Sequence, residues 1–447
     1  MTGPDALTVG RRRYLATLGV GVSSVFAGCS LLEDDDPPTR FDAEEIDPVF
    51  AESVPEVDRP APVDPAEEAI DGHLERAEEL LETLPEALGV ENVPNGVVRE
   101  AIDEMRGDAL EGRDDVVDAT APTRFEALWN SRTVREDARE AHATYLAVGE
   151  DTEETWDDLE EEQRTVRDDV TARLEDLEYV GEDEHRSALL YYRLENDLEA
   201  ALRSTDRPTS GADVTVLDLG ERAGSVEHAR ATVDVVSHLE ERHRDRLEDP
   251  SSVENRLETA LERAIADLEE YDLPNRHQLS EESPAGIDQD AIQGTPAGRL
   301  LHDASLSLDN TLERLADDLS DGRVASGLQL AFDQENRART AEVVYDRLED
   351  GAYHSLEDPE TIWEVRDRTI ERVETLAADL PETSIPADVF ARRVDFLEHV
   401  NDDVRRLVDE ERSSTLTREY ARYLWIDYSL ATFGDATATF ETWLEVG

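Results

Sequence analysis

From Pro65 to the end of the chain, apolar residues return every three or four positions, the spacing that gathers them on one face of a helix. The pattern predicts helices over residues 66–84, 95–111, 123–149, 152–179 and 183–204, and again over 223–248, 251–271, 297–319, 324–349, 359–380, 386–411 and 413–444. The breaks carry turn chemistry: Pro85 to Pro94, then Ser204 to Gly211, then the Gly-, Pro- and Ser-rich run from Asp272 to Thr295. Alternation of period two occurs once, at Val214 to Leu219, too short and isolated to build a sheet. The expected fold is therefore all-α, a multi-helix bundle of packed helical hairpins with no substantial sheet. The chain is longer than the ~250–300 residues that one core usually supports. Two lobes are expected, residues 66–205 and 223–447, joined by a linker over 206–222.

Two stretches of the second lobe stand out. Leu301, Leu308 and Leu315 repeat every seven residues with Leu312 and Leu319 on the companion position, so Ala297 to Leu319 is expected as one helix with a coiled-coil-like seam. Near the C-terminus, Tyr420, Tyr423, Trp425, Tyr428, Phe433, Phe440 and Trp443 put seven of the chain's 25 aromatic residues into one predicted helix. That density predicts a central core helix against which the others pack. An aromatic-lined groove for a partner is the alternative.

Charge changes the picture of the solvent. The chain holds 110 Asp and Glu against 44 basic residues, every one of them Arg, for a formal charge of -66. In dilute buffer such self-repulsion opposes compaction. At 1 M salt the Debye length is only about 3 Å, so repulsion is screened while carboxylates hold hydrated cations. The composition predicts a protein of salt-rich surroundings. It also argues against nucleic acid as a partner, since no basic stripe exists to neutralise phosphates.

The N-terminus carries an address. Arg11-Arg12-Arg13-Tyr14-Leu15 opens an apolar run of small residues ending in Phe26-Ala27-Gly28-Cys29. Arg11, Arg12, Tyr14 and Leu15 form a twin-arginine export pattern, and the run to Ala27 is long enough for a signal sequence but short of a spanning helix. Residues 1–28 are thus expected to be a signal peptide. Cys29 is the only cysteine, so it forms no intramolecular disulfide and joins no zinc cluster. The segment resembles the lipobox of bacterial and archaeal lipoproteins, in which this cysteine takes the lipid. Together with the acidity and the absence of lysine, it is similar to haloarchaeal twin-arginine-exported surface lipoproteins. The resemblance implies a body anchored to the outer face of the cytoplasmic membrane through lipidated Cys29. Residues 29–65, acidic and Pro-rich, are expected to be an extended tether.

Candidate chemistry is sparse. There is no Gly-x-Ser-x-Gly elbow, no phosphate-binding glycine loop before a lysine, and no His-Glu-x-x-His motif. Helical di-iron sites use Glu-x-x-His because that spacing puts both ligands on one face. Two matches occur, Glu182 with His185 and Glu240 with His243, where this glutamate content gives about one by chance, so they carry little information. His238 to Glu241 and His354 to Glu357 share a His-x-x-Glu spacing similar to the motif of imelysin-like iron-uptake proteins. No catalytic residue and no cofactor is predicted. The expected function is a non-enzymatic interaction or ligand-binding module at the cell surface, whose partner is a surface protein or ligand. The alternatives are an imelysin-like or di-iron-like metal or haem handling protein, or an uncharacterised enzyme.

Overall fold

Side-chain caps mark the starts of several helices. Asn95 accepts a hydrogen bond from the Val97 amide, and Asp183 accepts one from that of Arg186. Thr215 and Asp218 close a reciprocal capping box, while Thr295 and Ser384 cap helices that carry proline in the first turn. The computed structural model describes residues 40–46, 53–118, 123–149, 152–206, 214–271, 273, 287, 292–305, 308–352, 356, 358–410 and 412–445. Among them are fourteen helices. The first seven are α1 (Ala43–Ile46), α2 (Glu67–Leu81), α3 (Gly96–Val117), α4 (Arg124–Ala147), α5 (Thr152–Glu175), α6 (Glu184–Thr205) and α7 (Val216–Arg246). The second seven are α8 (Glu254–Leu268), α9 (Pro296–Ala304), α10 (Leu308–Ser320), α11 (Val324–Glu349), α12 (Glu360–Asp379), α13 (Ile385–Asp409) and α14 (Thr417–Leu444). Two dipeptides, β1 (Val180–Gly181) and β2 (Ser251–Ser252), pair antiparallel with Val180 opposite Ser252. The fold is all-α, as the helical period predicts.

The helices form two sets. In the first, α7 runs beside α4, α5 and α6, and α2 and α3 lie on α4. A Cβ on Gly220 would collide with Thr144, which explains how closely α4 and α7 approach. In the second, α14 is the central element, touched by α8, α9, α11, α12 and α13. All seven of its aromatic residues are buried. Phe332 of α11 meets Phe433 and Phe440 edge-on at 5.4 and 5.5 Å, and Phe390 of α13 reaches Phe433 at 5.8 Å. The Trp443 indole N–H donates to Asp267 of α8 at 2.6 Å. This is the core helix expected from the aromatic density. The sets share one continuous apolar core, crossed where α6 packs on α11 and α13.

Three expectations need correction. The proposed linker over 206–222 is partly helix: Val216 to Arg222 form the first turns of α7, with Leu219, Gly220 and Arg222 buried, and the alternating window at Val214 to Leu219 starts that helix. The capping box at Thr215 and burial against α4 override the local alternation. Residues 207–213 lie outside the described residues. Second, the leucine heptads do not make one helix, because α9 ends at Ser305 in extended backbone and α10 starts again at Leu308. Third, the described part of the 29–65 tether is not extended away from the body. Phe41 pairs with Ser414 across a β-bridge, Ile46 is fully buried, and Arg59 bonds Asp395 of α13 at 2.6 Å. Further on, Asp64 meets Arg124 of α4, and the Ala66 amide donates to His238 of α7. Residues 40–46 and 53–65 are a strap across both helix sets.

Candidate functional site

Most of the buried ionisable side chains tie helices together. Glu227 of α7 is fully buried; its Oε1 accepts two bonds from Arg135 of α4 at 3.0 and 2.6 Å, and Oε2 accepts one from Arg230 at 3.0 Å. Burial would raise the Glu227 carboxyl, but Arg135, Arg230 and Arg76 outweigh it and hold it below the ordinary range. Beside this cluster, His73 of α2 is held neutral, pushed down to about 3 by burial and then by Arg135 and Arg132. His142 of α4 is lowered to about 4 by burial and Arg139. At the seam between the two helix sets, Glu195 of α6 accepts the amides of Ala325 and Ser326 at the start of α11, at 3.3 and 2.8 Å, and the Tyr179 hydroxyl. Burial lifts this carboxyl to about 7, with those hydrogen bonds pulling the other way.

The four candidate metal ligands go to similar uses. Glu182 Oε1 accepts the Asp249 amide at 2.5 Å, and His185 Nε2 lies 3.0 Å from Glu441 of α14. Glu240 is buried against Arg173 and Arg244. The Nε2–H of His243 donates to the Val180 carbonyl at 2.9 Å, which leaves that nitrogen without the lone pair a metal needs. No group of three His, Cys, Asp or Glu able to hold a metal ion occurs among the described residues. The two Glu-x-x-His pairs therefore do not meet as a di-iron set. His354 and Glu357 lie outside the described residues, as do Arg11, Arg12, Tyr14, Leu15 and Cys29. No helix among the described residues is long and apolar enough to cross a membrane.

An open groove of about 460 Å³ lies between α12 and α14. One end is organised by Asp427, buried in the middle of α14. Arg368 of α12 grips its Oδ2 through Nε at 3.0 Å and Nη2 at 2.9 Å, and Arg372 donates from Nε to Oδ1 at 2.8 Å. The residues that follow Arg372 on α12, Thr375 and Leu376, face those that follow Asp427 on α14, Leu430, Ala431 and Gly434. Asp435 and Glu371 complete the lining. The arrangement offers fixed guanidinium groups, an apolar wall and two carboxylates, a set suited to holding a ligand; Thr375 carries the lining's one hydroxyl, bonded to the Glu371 carbonyl at 2.9 Å. The sequence patterns pointed to none of these residues. The signal available was Asp427 itself, a lone charge inside Trp425-Ile426-Asp427-Tyr428-Ser429-Leu430, facing arginines spaced i, i+4.

Fold and groove together define an all-helical protein of two joined helix sets with an open cleft in the second. Against known families, residues 68–249 match a domain of unknown function (DUF8262) and residues 254–442 match a second (DUF8264). The matches divide at the turn between α7 and α8, where β2 lies, rather than at 206–222. No curated protein and no solved structure matches the chain.

Proposed function

We propose that this chain is an exported, lipid-anchored helical module that binds a ligand or partner at the outer face of the cytoplasmic membrane in a salt-rich medium. The observation that carries the binding half is the division among its charges. Glu227, Asp388, Glu240 and Asp427 each sit against an arginine of another helix, at Arg135, Arg193, Arg173 and Arg368, which makes them structural ties. The groove between α12 and α14, in contrast, carries Glu371 and Asp435 at an open face beside Arg372, whose Nε bonds Asp427. The anchoring half rests on Arg11 to Cys29 and on the lone cysteine.

Fractionation tests the anchor. The wild-type chain is expected in the membrane fraction and Cys29→Ser in the medium; a Cys29→Ser chain still held on membranes contradicts lipid attachment. Transfer from multimolar salt to dilute buffer tests the solvent, with loss of helical circular dichroism expected and an unchanged spectrum counting against it.

A further inference from the structure

Three features of the groove between α12 and α14 bear on what it holds. Among the described residues Arg372 makes one bond, from Nε to Asp427, so its position is fixed while its terminal nitrogens stay available to them at a side chain 37% exposed. Asp435, eight residues beyond Asp427 on the same helix, lies about 12 Å along the axis at 1.5 Å per residue. It is exposed and takes no hydrogen bond or ion pair among the described residues, with Arg339 as a neighbouring charge. Gly434, next to Asp435, stands inside a continuous helix that a larger residue would stabilise, and a Cβ there would meet nothing within 4 Å. Gly72 and Gly107 are equally open, but they do not line this groove. No packing demand within the described chain requires a glycine at 434, and the missing side chain leaves the α14 backbone open to a ligand in the groove.

We infer that the groove takes a zwitterion of short-peptide length, its carboxylate on Arg372, its ammonium on Asp435 and its body along Leu376, Leu430 and Gly434. The charges fit in sign and separation: an extended chain spans at most about 3.3–3.6 Å per residue, so a tripeptide covers roughly the distance from the Asp427 level to Asp435. A cavity of about 460 Å³ is in the range of small-molecule sites. Glu371, exposed on the rim beside Arg372, is the one lining group that repels the carboxylate end. The inference rests on the binding-module proposal above and narrows it to a ligand class.

The test is calorimetric titration of the full chain, in multimolar salt, with triglycine, N-acetyl-triglycine and triglycine amide. Triglycine is expected to bind in the millimolar range, and blocking either end to weaken it by about tenfold or more. Arg372→Gln should lose most affinity for triglycine, and Glu371→Gln should gain some. Gly434→Leu should plug the groove and abolish binding while the melting temperature holds or rises, which separates a filled site from a damaged fold. Absence of heat with triglycine up to about 50 mM, equal binding of free and blocked peptides, or undiminished binding by Gly434→Leu would each overturn the assignment. Membrane retention through Cys29 is read independently. An anchored chain indifferent to triglycine sinks the ligand class alone, and a released chain that binds it sinks the anchor alone.

Discussion

The α2–α7 set and the α8–α14 set bury similar helices by different means. At the centre of the first, α4 and α7 meet over Gly220 and across Glu227, Arg135, Arg132 and the neutral His73. At the centre of the second, Phe332, Phe390, Phe433 and Phe440 interlock edge to face around α14. The second set also buries carboxylates, Asp388 and Asp427, but its described histidines, His302 and His399, are exposed. The difference teaches that the acidic composition does two jobs. Most carboxylates coat the surface and a minority lock arginines in both sets, but among the described residues the buried histidines, His73 and His243, lie in the first set, where acid should be felt earliest.

The largest expected effects come from a matched pair of core truncations. Glu227→Ala takes the buried carboxylate from Arg135, which keeps only Asp234 at its outer side, and should cost about 3 kcal/mol, while Phe433→Ala should cost ~3–5 kcal/mol through the cavity it leaves. Denaturant unfolding in high salt measures both. What separates them is pH. His73 has its folded pKa depressed to about 3, so its contribution is complete above the ordinary 6.5 and is lost as pH falls toward 3. Acidification from 6.5 to 5 should therefore remove about 2 kcal/mol at this one residue, and His73→Gln should make that slope shallower while leaving the share that His142, lowered to about 4, contributes. If wild type and His73→Gln lose stability in parallel over that window, the assignment of the acid response to His73 fails. At the seam the sign reverses. The Glu195 carboxyl, lifted to about 7, contributes stability that is complete below 4.5 and lost as pH rises through 7. Carbon-detected NMR should find it titrating near neutrality; titration in the ordinary carboxylate range would contradict its burial.

Smaller effects belong to the second set. Asp427→Asn weakens the hold on Arg368 and Arg372 and should cost about 1–3 kcal/mol, with α12 losing hydrogen-exchange protection before α14. Gly434→Ala should raise stability by about 0.5–1 kcal/mol, since the added methyl meets open space. A loss at that position would mean that the space beside α14 is filled by something the fold needs.

Much of this architecture was legible in the sequence because helix periodicity and caps are local signals. The starts at Asn95, Asp183, Thr295 and Ser384 are written in the residues that cap them, and the burial of α14 follows from its aromatic content. What stayed hidden depends on distant partners. The strap at residues 40–46 and 53–65 reads as a polar tether until Phe41 finds Ser414 and Arg59 finds Asp395. The break between α9 and α10 defeats an intact heptad, since the backbone is already extended at Ser305 despite the leucine spacing. The groove was the least visible feature. Its charges come from α12 and α14, and their opposition is a property of packing alone. The Glu-x-x-His pairs misled for the converse reason, since a helical spacing places two side chains on one face without deciding which neighbour they meet.

Segment-resolved hydrogen exchange at pH 7 and pH 5, in the same multimolar salt and expressed as protection factors, tests the contrast between the two sets most directly. Charging of His73 predicts that α2, α4 and α7 lose protection on acidification while α11 and α14 keep theirs. Equal loss in both sets, or earlier loss in α14, would contradict it.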